Sequence, residues 1–276
     1  MFSIAYLGPE KTNTHLAALK KFGKRNRYVH APTVEDVFRL VERREAEYGV
    51  VPIENSLEGA VTHTLDRFID FVDTPVKIQG EVEQPIRHYL ILHQRVPLFS
   101  IRAVYSHPQA LAQCHHWLSQ HLPHVNRRET NSTADAVNYV LHDKHHTTRA
   151  AIGRMELGKG HGLQTLRIPN QRDNKTRFLI IGLDEPKRGR RNKTSILCAL
   201  KDQPGALHNA LVPFKQNRIN LTKIESRPSK RKAWEYLFFI DIEGHESEPR
   251  VKRALTALKR STSLLRILGS YPVTRT

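Results

Sequence analysis

Cysteine is almost missing: Cys114 and Cys198 are the only two in 276 residues. Two thiols cannot build a disulfide framework or a cysteine-based zinc site. Acidic residues are also short, 27 Asp and Glu against 44 Lys and Arg, which leaves a formal charge of +17. No apolar run approaches the roughly 20 residues that span a bilayer. The start, MFSIAYLGPEKTNTH, has neither the basic stretch nor the apolar core of a secretion signal. These absences lead to the expectation of a cytoplasmic protein without membrane association. What is there is ordinary for a globular chain, 39% hydrophobic and 26% charged. That supplies enough apolar surface to offset chain entropy and excludes dominant disorder. The length suits one large domain or two to three smaller ones.

The basic excess concentrates anions near the surface, whether nucleic acid or small carboxylates. Its charges are dispersed, with local knots at Lys187-Arg188-Gly189-Arg190-Arg191 and Lys230-Arg231-Lys232. No basic helix interleaved with aromatics and no zinc-finger, RNP or KH signature accompanies them. A solvated basic surface is the plainer reading, and no nucleic-acid partner is expected. Histidine is abundant, at 16 residues, and clusters as His115-His116 and His145-His146. Neither pair has the spaced partners of a zinc site, so both read as surface residues and no metal is expected. His107, in a loop, is a weaker acid candidate.

Strand and helix signals alternate through the first two-thirds. Ser3–Leu7 is short and apolar, Gly8-Pro9 breaks it, and Thr14 opens a helical pattern. Thr33 caps a second helix with Val34, Val37, Phe38 and Val41 on one face. Residues 48–53, 88–92, 103–105, 150–153 and 177–181 read as strands, and a helix runs through Trp117 and Leu118. This alternation predicts a doubly wound α/β arrangement, in which ligands gather outside the carboxyl ends of strands. Residues 184–192 combine Pro186, Gly189 and four positive charges and read as a linker. Beyond it, strands at 194–200, 219–226, 236–242 and 264–268 and helices at 205–215 and 248–259 give βαββαβ, a ferredoxin-like split unit.

Six motifs in order are specific enough to name a family. Val51-Pro52-Ile53-Glu54-Asn55-Ser56, with Glu58-Gly59 after it, resembles the V-P-I-E-N-S motif of prephenate dehydratases. Tyr105-Ser106-His107-Pro108-Gln109, continuing to Gln113-Cys114, resembles their S-H-P-Q segment, and Ser132-Thr133-Ala134 their S-T-A loop. Asn170-Gln171-Arg172 followed by Asn174-Lys175-Thr176-Arg177-Phe178 is similar to their N-x-T-R-F signature. After the linker, Asp202 and Pro204-Gly205-Ala206-Leu207 resemble the effector loop of ACT regulatory domains, and Glu225-Ser226-Arg227-Pro228 their phenylalanine-site motif. Collinear matches through almost the whole chain make the resemblance strong.

The resemblance implies conversion of prephenate to phenylpyruvate, water and carbon dioxide, without cofactor or metal, on the route to phenylalanine. It implies a two-lobed periplasmic-binding-protein-like catalytic domain over 1–184 with its active site in the cleft between lobes. A basic linker at 185–192 and a phenylalanine-binding ACT domain over 193–276 complete the expected organisation, in a homodimer or homotetramer. The chain begins directly at the dehydratase strand, so it is expected to be monofunctional, without a chorismate mutase domain. Arogenate dehydratase is an alternative, differing by an amino group where prephenate has a keto group. A catalytically impaired phenylalanine-binding homologue is another.

Prephenate carries two carboxylates and a ring hydroxyl, and hydroxide leaves at neutral pH only with a donor at its oxygen. Thr176, at the start of a buried strand, suits donation or relay to that oxygen; Ser106 and Glu54 complete the catalytic set that the resemblance implies. A free Glu54 carboxylate would repel a dianion, so on chemistry alone it reads as support for the cleft more than as an acid. Substrate contacts are expected from Asn55, Gln113, Ser132, Thr133, Arg177 and Thr12. Arg177 has two open readings, substrate contact or partner of a structural carboxylate, because it alternates away from Thr176. Ser132 and Thr133 precede a helical run, which offers free N–H groups but is also an ordinary cap. Effector contacts are expected from Gly205, Ala206, Leu207, His208, Glu225, Ser226, Arg227 and Pro228. One departure stands out. The family's first loop usually reads G-P-x-G-[TS]-[FY]-[ST], and here Lys11 replaces the glycine and Asn13 the aromatic. Lysine enters positive φ at a cost, so a reshaped loop is expected, with Lys11 either an anion contact or an obstruction.

Overall fold

A computed structural model describes residues 1–70, 74–142, 148–169, 173–201, 203–229 and 235–273. The chain forms two compact units, the first made of Met1–Leu7, Ala17–Glu83 and Arg177–Thr276, the second of Gly8–Leu16 and Gln84–Thr176. Among the described residues no helix is long and apolar enough to cross a membrane.

The first unit holds two sheets. One contains β1 (Ser3–Leu7), β2 (Arg27–Ala31), β3 (Tyr48–Asn55), β4 (Gly59–Ala60), β5 (Lys77–Pro85) and β11 (Lys175–Gly182), in the order β2-β1-β3-β11-β5 with β4 on β3. Strands β1, β2 and β3 pair in parallel, as connections through α1 (Asn13–Phe22) and α2 (Val34–Glu42) require. Thr33 does cap α2, its hydroxyl oxygen accepting from the Asp36 amide at 3.1 Å. Period two divides this sheet between two cores. Ile4, Tyr6, Val50, Phe178 and Ile180 pack with Ala17 and Ala18 of α1. Ala5, Val51, Ile53, Leu179 and Ile181 pack on the other face with α2 and α3 (Thr62–Asp70).

The second sheet of this unit is the expected βαββαβ module. Strands β12 (Asn192–Leu200), β13 (Leu221–Pro228), β14 (Tyr236–Glu243) and β15 (Thr262–Pro272) run antiparallel in the order β13-β14-β12-β15. Helices α8 (Ala206–Gln216) and α9 (Pro249–Ser261) cover one face, over Ile196, Cys198, Ile240 and Ile242. The other face, with Leu197, Phe239, Leu268 and Tyr271, shares the core of Val51, Leu179 and α3. The two sheets approach closely enough there to require glycine: a Cβ on Gly269 of β15 would lie 2.3 Å from the Ile78 carbonyl oxygen of β5. Residues 183–191 have neither helix nor strand; the stretch read as linker lies here, except that Asn192 already opens β12.

The second unit is built on β6 (His88–Leu92), β7 (Ala103–Ser106), β8 (Asn126–Glu129), β9 (Arg149–Gly153) and β10 (Gln164–Ile168), ordered β10-β6-β9-β7-β8. β7 pairs in parallel with β8 and β9, and β6 pairs antiparallel with β9 and β10. Helices α4 (Pro108–Gln113) and α5 (His115–His121) lie over one core with Leu90, Val104 and Ile152, and α6 (Thr133–Leu141) and α7 (Met155–Lys159) over a second with Ile91 and Ala151. Two details differ from the sequence reading. Ser106-His107-Pro108-Gln109 reads as a loop in the sequence, yet helix α4 starts already at Pro108, because Pro suits the first helical position. The helix through Trp117 is two helices, broken at Cys114, whose φ of −93° and ψ of 2° leave the helical region.

Candidate active site

Strand β11 carries Thr176 and Arg177 side by side, and a strand sends successive side chains to opposite faces. Arg177 shares its face with Leu179 and Ile181, Thr176 with Phe178 and Ile180. The Arg177 guanidinium is buried among three carboxylates. Its Nη1 donates to Glu81 at 2.8 Å and to Asp241 of β14 at 2.9 Å, and its Nε lies 2.8 Å from Glu54 Oε1. Lys193 of β12 donates to both oxygens of Glu81, at 2.9 and 2.8 Å, and Lys223 of β13 donates to Glu54 Oε2 at 2.6 Å. Ser195 donates to Asp241 at 2.6 Å and sits 2.9 Å from the Tyr271 hydroxyl. Three cations thus meet three anions, the arrangement that lets charges leave water without a large net penalty. Of the two readings of Arg177, this is the pairing with structural carboxylates.

Charge and burial compete here. Burial alone would raise the Glu54 carboxyl; Arg177 and Lys223 outweigh it and hold Glu54 below the ordinary carboxylate value. Burial raises the Tyr271 hydroxyl well above its usual value, and Asp241 and Glu81 add to that. Arg177, although buried, stays charged because Asp241 and its neighbours stabilise the cation. Asn55, at the end of β3, accepts from the Leu57 and Glu58 amides at 2.9 and 3.2 Å and shapes the turn that follows.

In the second unit the motif residues meet through neutral hydrogen bonds. Gln113 Oε1 accepts from Asn174 Nδ2 at 2.8 Å and pairs with His88 Nε2 at 2.6 Å, joining the end of α4 to the residue two before Thr176. The Asn174 carbonyl accepts from the Ile86 amide at 2.8 Å. Ser106 is fully buried and donates to the Ile152 carbonyl at 2.7 Å, which ties β7 to β9. Ser132 caps α6, its oxygen accepting from the Asp135 amide at 3.0 Å, and Thr133 is the first helical residue. His107 caps α4 through Nδ1, accepting from Gln109 at 3.3 Å. Thr176, the second residue of β11, is half-buried.

The first loop does not avoid the glycine conformation: Lys11 itself takes φ 62°. The expectation of reshaping gives way because the loop is braced. Buried Arg154 donates to the Lys11 carbonyl, and the Lys11 amide donates to His15 Nδ1 at 3.0 Å. Burial chiefly lowers the His15 pKa, which suits an acceptor nitrogen. Thr12 accepts from the His15 amide at 3.3 Å, as a helix cap does.

In the βαββαβ module, Gly205 precedes α8 with φ 77°, in the left-handed region. Ala206, Leu207 and His208 form the first turn of α8, where Leu207 is 39% exposed and His208 Nδ1 lies 3.2 Å from Asn209 Oδ1. Glu225, Ser226, Arg227 and Pro228 end β13, and Arg227 donates to Asp66 of α3 at 3.0 Å. Asn170-Gln171-Arg172, Asp202, His145-His146 and the knot at 230–232 lie outside the described residues.

The prephenate dehydratase family profile matches residues 4–186 and the ACT domain profile residues 194–260. The chain belongs to the prephenate dehydratase family. A bifunctional chorismate mutase/prephenate dehydratase of Aquifex aeolicus is 47% identical over 271 residues, 98% of this chain and 73% of that protein. A prephenate dehydratase of Methanocaldococcus jannaschii is 41% identical over 249 residues, covering 87% of this chain and 86% of that one. A crystal structure of the Arthrobacter aurescens prephenate dehydratase in complex with L-Phe superposes with a TM-score of 0.87 at 33% identity, over 98% of this chain and 89% of that one. As a prephenate dehydratase fold, the chain holds its signature strand through Glu54 of its motifs and through Glu81 and Asp241, which its motifs do not include. Glu81, Asp241, Lys193, Lys223, His88 and Arg154 were missed in the sequence. Asp241 alone left a signal there, an acid inside the apolar run Phe238–Ile242.

Proposed function

We propose that this chain converts prephenate to phenylpyruvate, water and carbon dioxide, and that phenylalanine at its ACT domain lowers that activity. The observation that carries the reading is the split of β11. Arg177 is fixed among Glu54, Glu81 and Asp241, so the strand, and with it Thr176 on the opposite face, is held rigidly.

The reaction balances without an outside oxidant or reductant. As the ring carboxylate leaves as carbon dioxide, its bonding electrons move through the ring and expel the hydroxyl. That oxygen collects a proton to leave as water, and the ring becomes aromatic with the pyruvyl chain in place. Thr176 donates to the departing oxygen as its bond breaks, a contribution of typically ~10²–10⁴ in rate. The neutral N–H groups at the start of α6, beside Ser132 and Thr133, suit a substrate carboxylate. The Gln113 oxygen is committed to His88 and Asn174, so any donation to substrate comes from its amide nitrogen. Ser106 and Glu54 act through position, the first on β7 and β9, the second on Arg177.

The Arthrobacter relative's complex with L-Phe supports phenylalanine as effector, and Gly205 at φ 77° with the Glu225–Pro228 strand end are the contacts proposed here. Exposed Leu207, Ile224 and Tyr236 on the ACT module support a homodimer or homotetramer. The test is product identity with prephenate and with arogenate, each with and without phenylalanine. Phenylpyruvate from prephenate at the higher kcat/KM is expected. Turnover of arogenate alone to phenylalanine overturns the substrate assignment.

A further inference from the structure

Glu54 is a counter-ion shared by two strands with different tasks. Its Oε1 faces Arg177, the residue after Thr176 on β11, and its Oε2 accepts from Lys223 at 2.6 Å. Lys223 lies on β13 two residues before Glu225, and burial alternates along this strand, so Lys223, Glu225 and Arg227 share its half-buried face. Pairing with β14 shifts register between Leu221 and Lys223. Such an irregularity re-aims a side chain, and here the re-aimed lysine reaches Glu54. Arg227, on the same face, holds Asp66.

The three carboxylates around Arg177 are not equivalent. The Glu81 and Asp241 side chains are 8% and 10% exposed, whereas Glu54 is 33% exposed. Ion pairs opened deep in the interior leave unpaired charge, while water can replace a partner at Glu54. A cavity of about 20 Å³, lined by Ile53, Lys223, Ser195 and Asp241 among others, leaves this corner less than fully packed. Lys193, by contrast, grips both oxygens of Glu81 from β12, a strand without effector residues.

We propose that Lys223 is a positioning residue for the reaction, setting Glu54 and through it the Arg177–Thr176 step of β11, so that effector binding at Glu225–Pro228 reaches the catalytic strand through this lysine. The proposal rests on the reading of phenylalanine as effector. A ligand that moves β13 draws Lys223 from Glu54, and Arg177 then settles toward Glu81 and Asp241, carrying the backbone at Thr176 with it. Coupling of this kind requires that phenylalanine bind the two arrangements of β13 with different affinity.

The experiment compares the full-length parent with Lys223→Met and Lys223→Arg, measuring phenylalanine binding by calorimetry and prephenate turnover across a phenylalanine titration. Lys223→Met, which breaks the contact with Glu54 permanently, is expected to keep phenylalanine affinity within about threefold, to start near the rate the parent reaches only with phenylalanine bound, and to lose little further activity across the titration. Lys223→Arg, which restores a cation to Glu54, is expected to recover the parent response. If Lys223→Met does not fold, Lys223→Gln carries the same expectation. Inhibition of the neutral variants at the parent's phenylalanine concentration overturns the coupling and leaves the effector reading standing. A parent that binds phenylalanine without losing activity also overturns the coupling. A parent that binds none overturns the effector reading itself.

Discussion

The two units use their motif residues in opposite ways. In the unit with β11, Glu54 and Arg177 are drawn into ion pairs with Glu81, Asp241 and Lys223. In the other, Gln113, Ser106, Ser132 and Thr12 make neutral hydrogen bonds to Asn174, a strand carbonyl and helix-end amides. The division fits the proposed dianionic substrate: carboxylates suit such a site only where cations neutralise them, and neutral donors can face a dianion without repelling it. The charged set holds β11, and the neutral set, apart from Ser106, which ties β7 to β9, is the one proposed to contact substrate.

Changes at Thr176 and Arg177 test that division most severely, because the two are adjacent. Thr176→Ala is expected to lower kcat by about 10²–10⁴ with a smaller change in KM and little change in unfolding midpoint. Near-parent kcat would remove Thr176 from the mechanism. Arg177→Met is expected to act first on stability, by about 3–5 kcal/mol in denaturant unfolding, since it leaves buried carboxylates without their cation. A variant as stable as the parent that loses only substrate affinity would reverse the assignment of Arg177.

A smaller effect follows from the Glu54 carboxyl, whose folded pKa is depressed. Its stabilising contribution is fully present above the ordinary glutamate value of about 4.3 and is lost as pH falls through the lower folded value. The difference in melting temperature between parent and Glu54→Gln is expected to be widest near neutral pH and to shrink in acid. A gap that widens in acid contradicts the pairing. Two caps provide the finest comparison. Ser132→Ala and Thr33→Ala each remove an N-cap and are each expected to cost about 1 kcal/mol of stability. Only Ser132→Ala is expected to raise KM for prephenate; equal KM values in both would reduce Ser132 to a cap.

Much of this was legible in the chain. Strands such as Tyr48–Ile53 and Phe178–Ile181 are runs of β-formers ended by polar residues, and Thr33 announced its helix. Strand β8, Asn126–Glu129, is exposed throughout and has no apolar period to read. Motif residues were visible from their spacing, but their counter-ions were not: Glu81 in Lys77–Pro85 and Lys193 at the start of β12 look solvated until the sheets bury them. Lys11 shows the converse. Its φ of 62° carries a cost that residue type alone reads as reshaping, and the brace from Arg154, 143 residues away, is invisible locally.

The most direct measurement of the central claim is phenylpyruvate formation by the purified chain from prephenate, against a buffer blank, with and without phenylalanine. Formation far above the blank, and a lower rate once phenylalanine is added, are expected. Folded protein that yields no phenylpyruvate above the blank, with Thr176 intact, would contradict that claim.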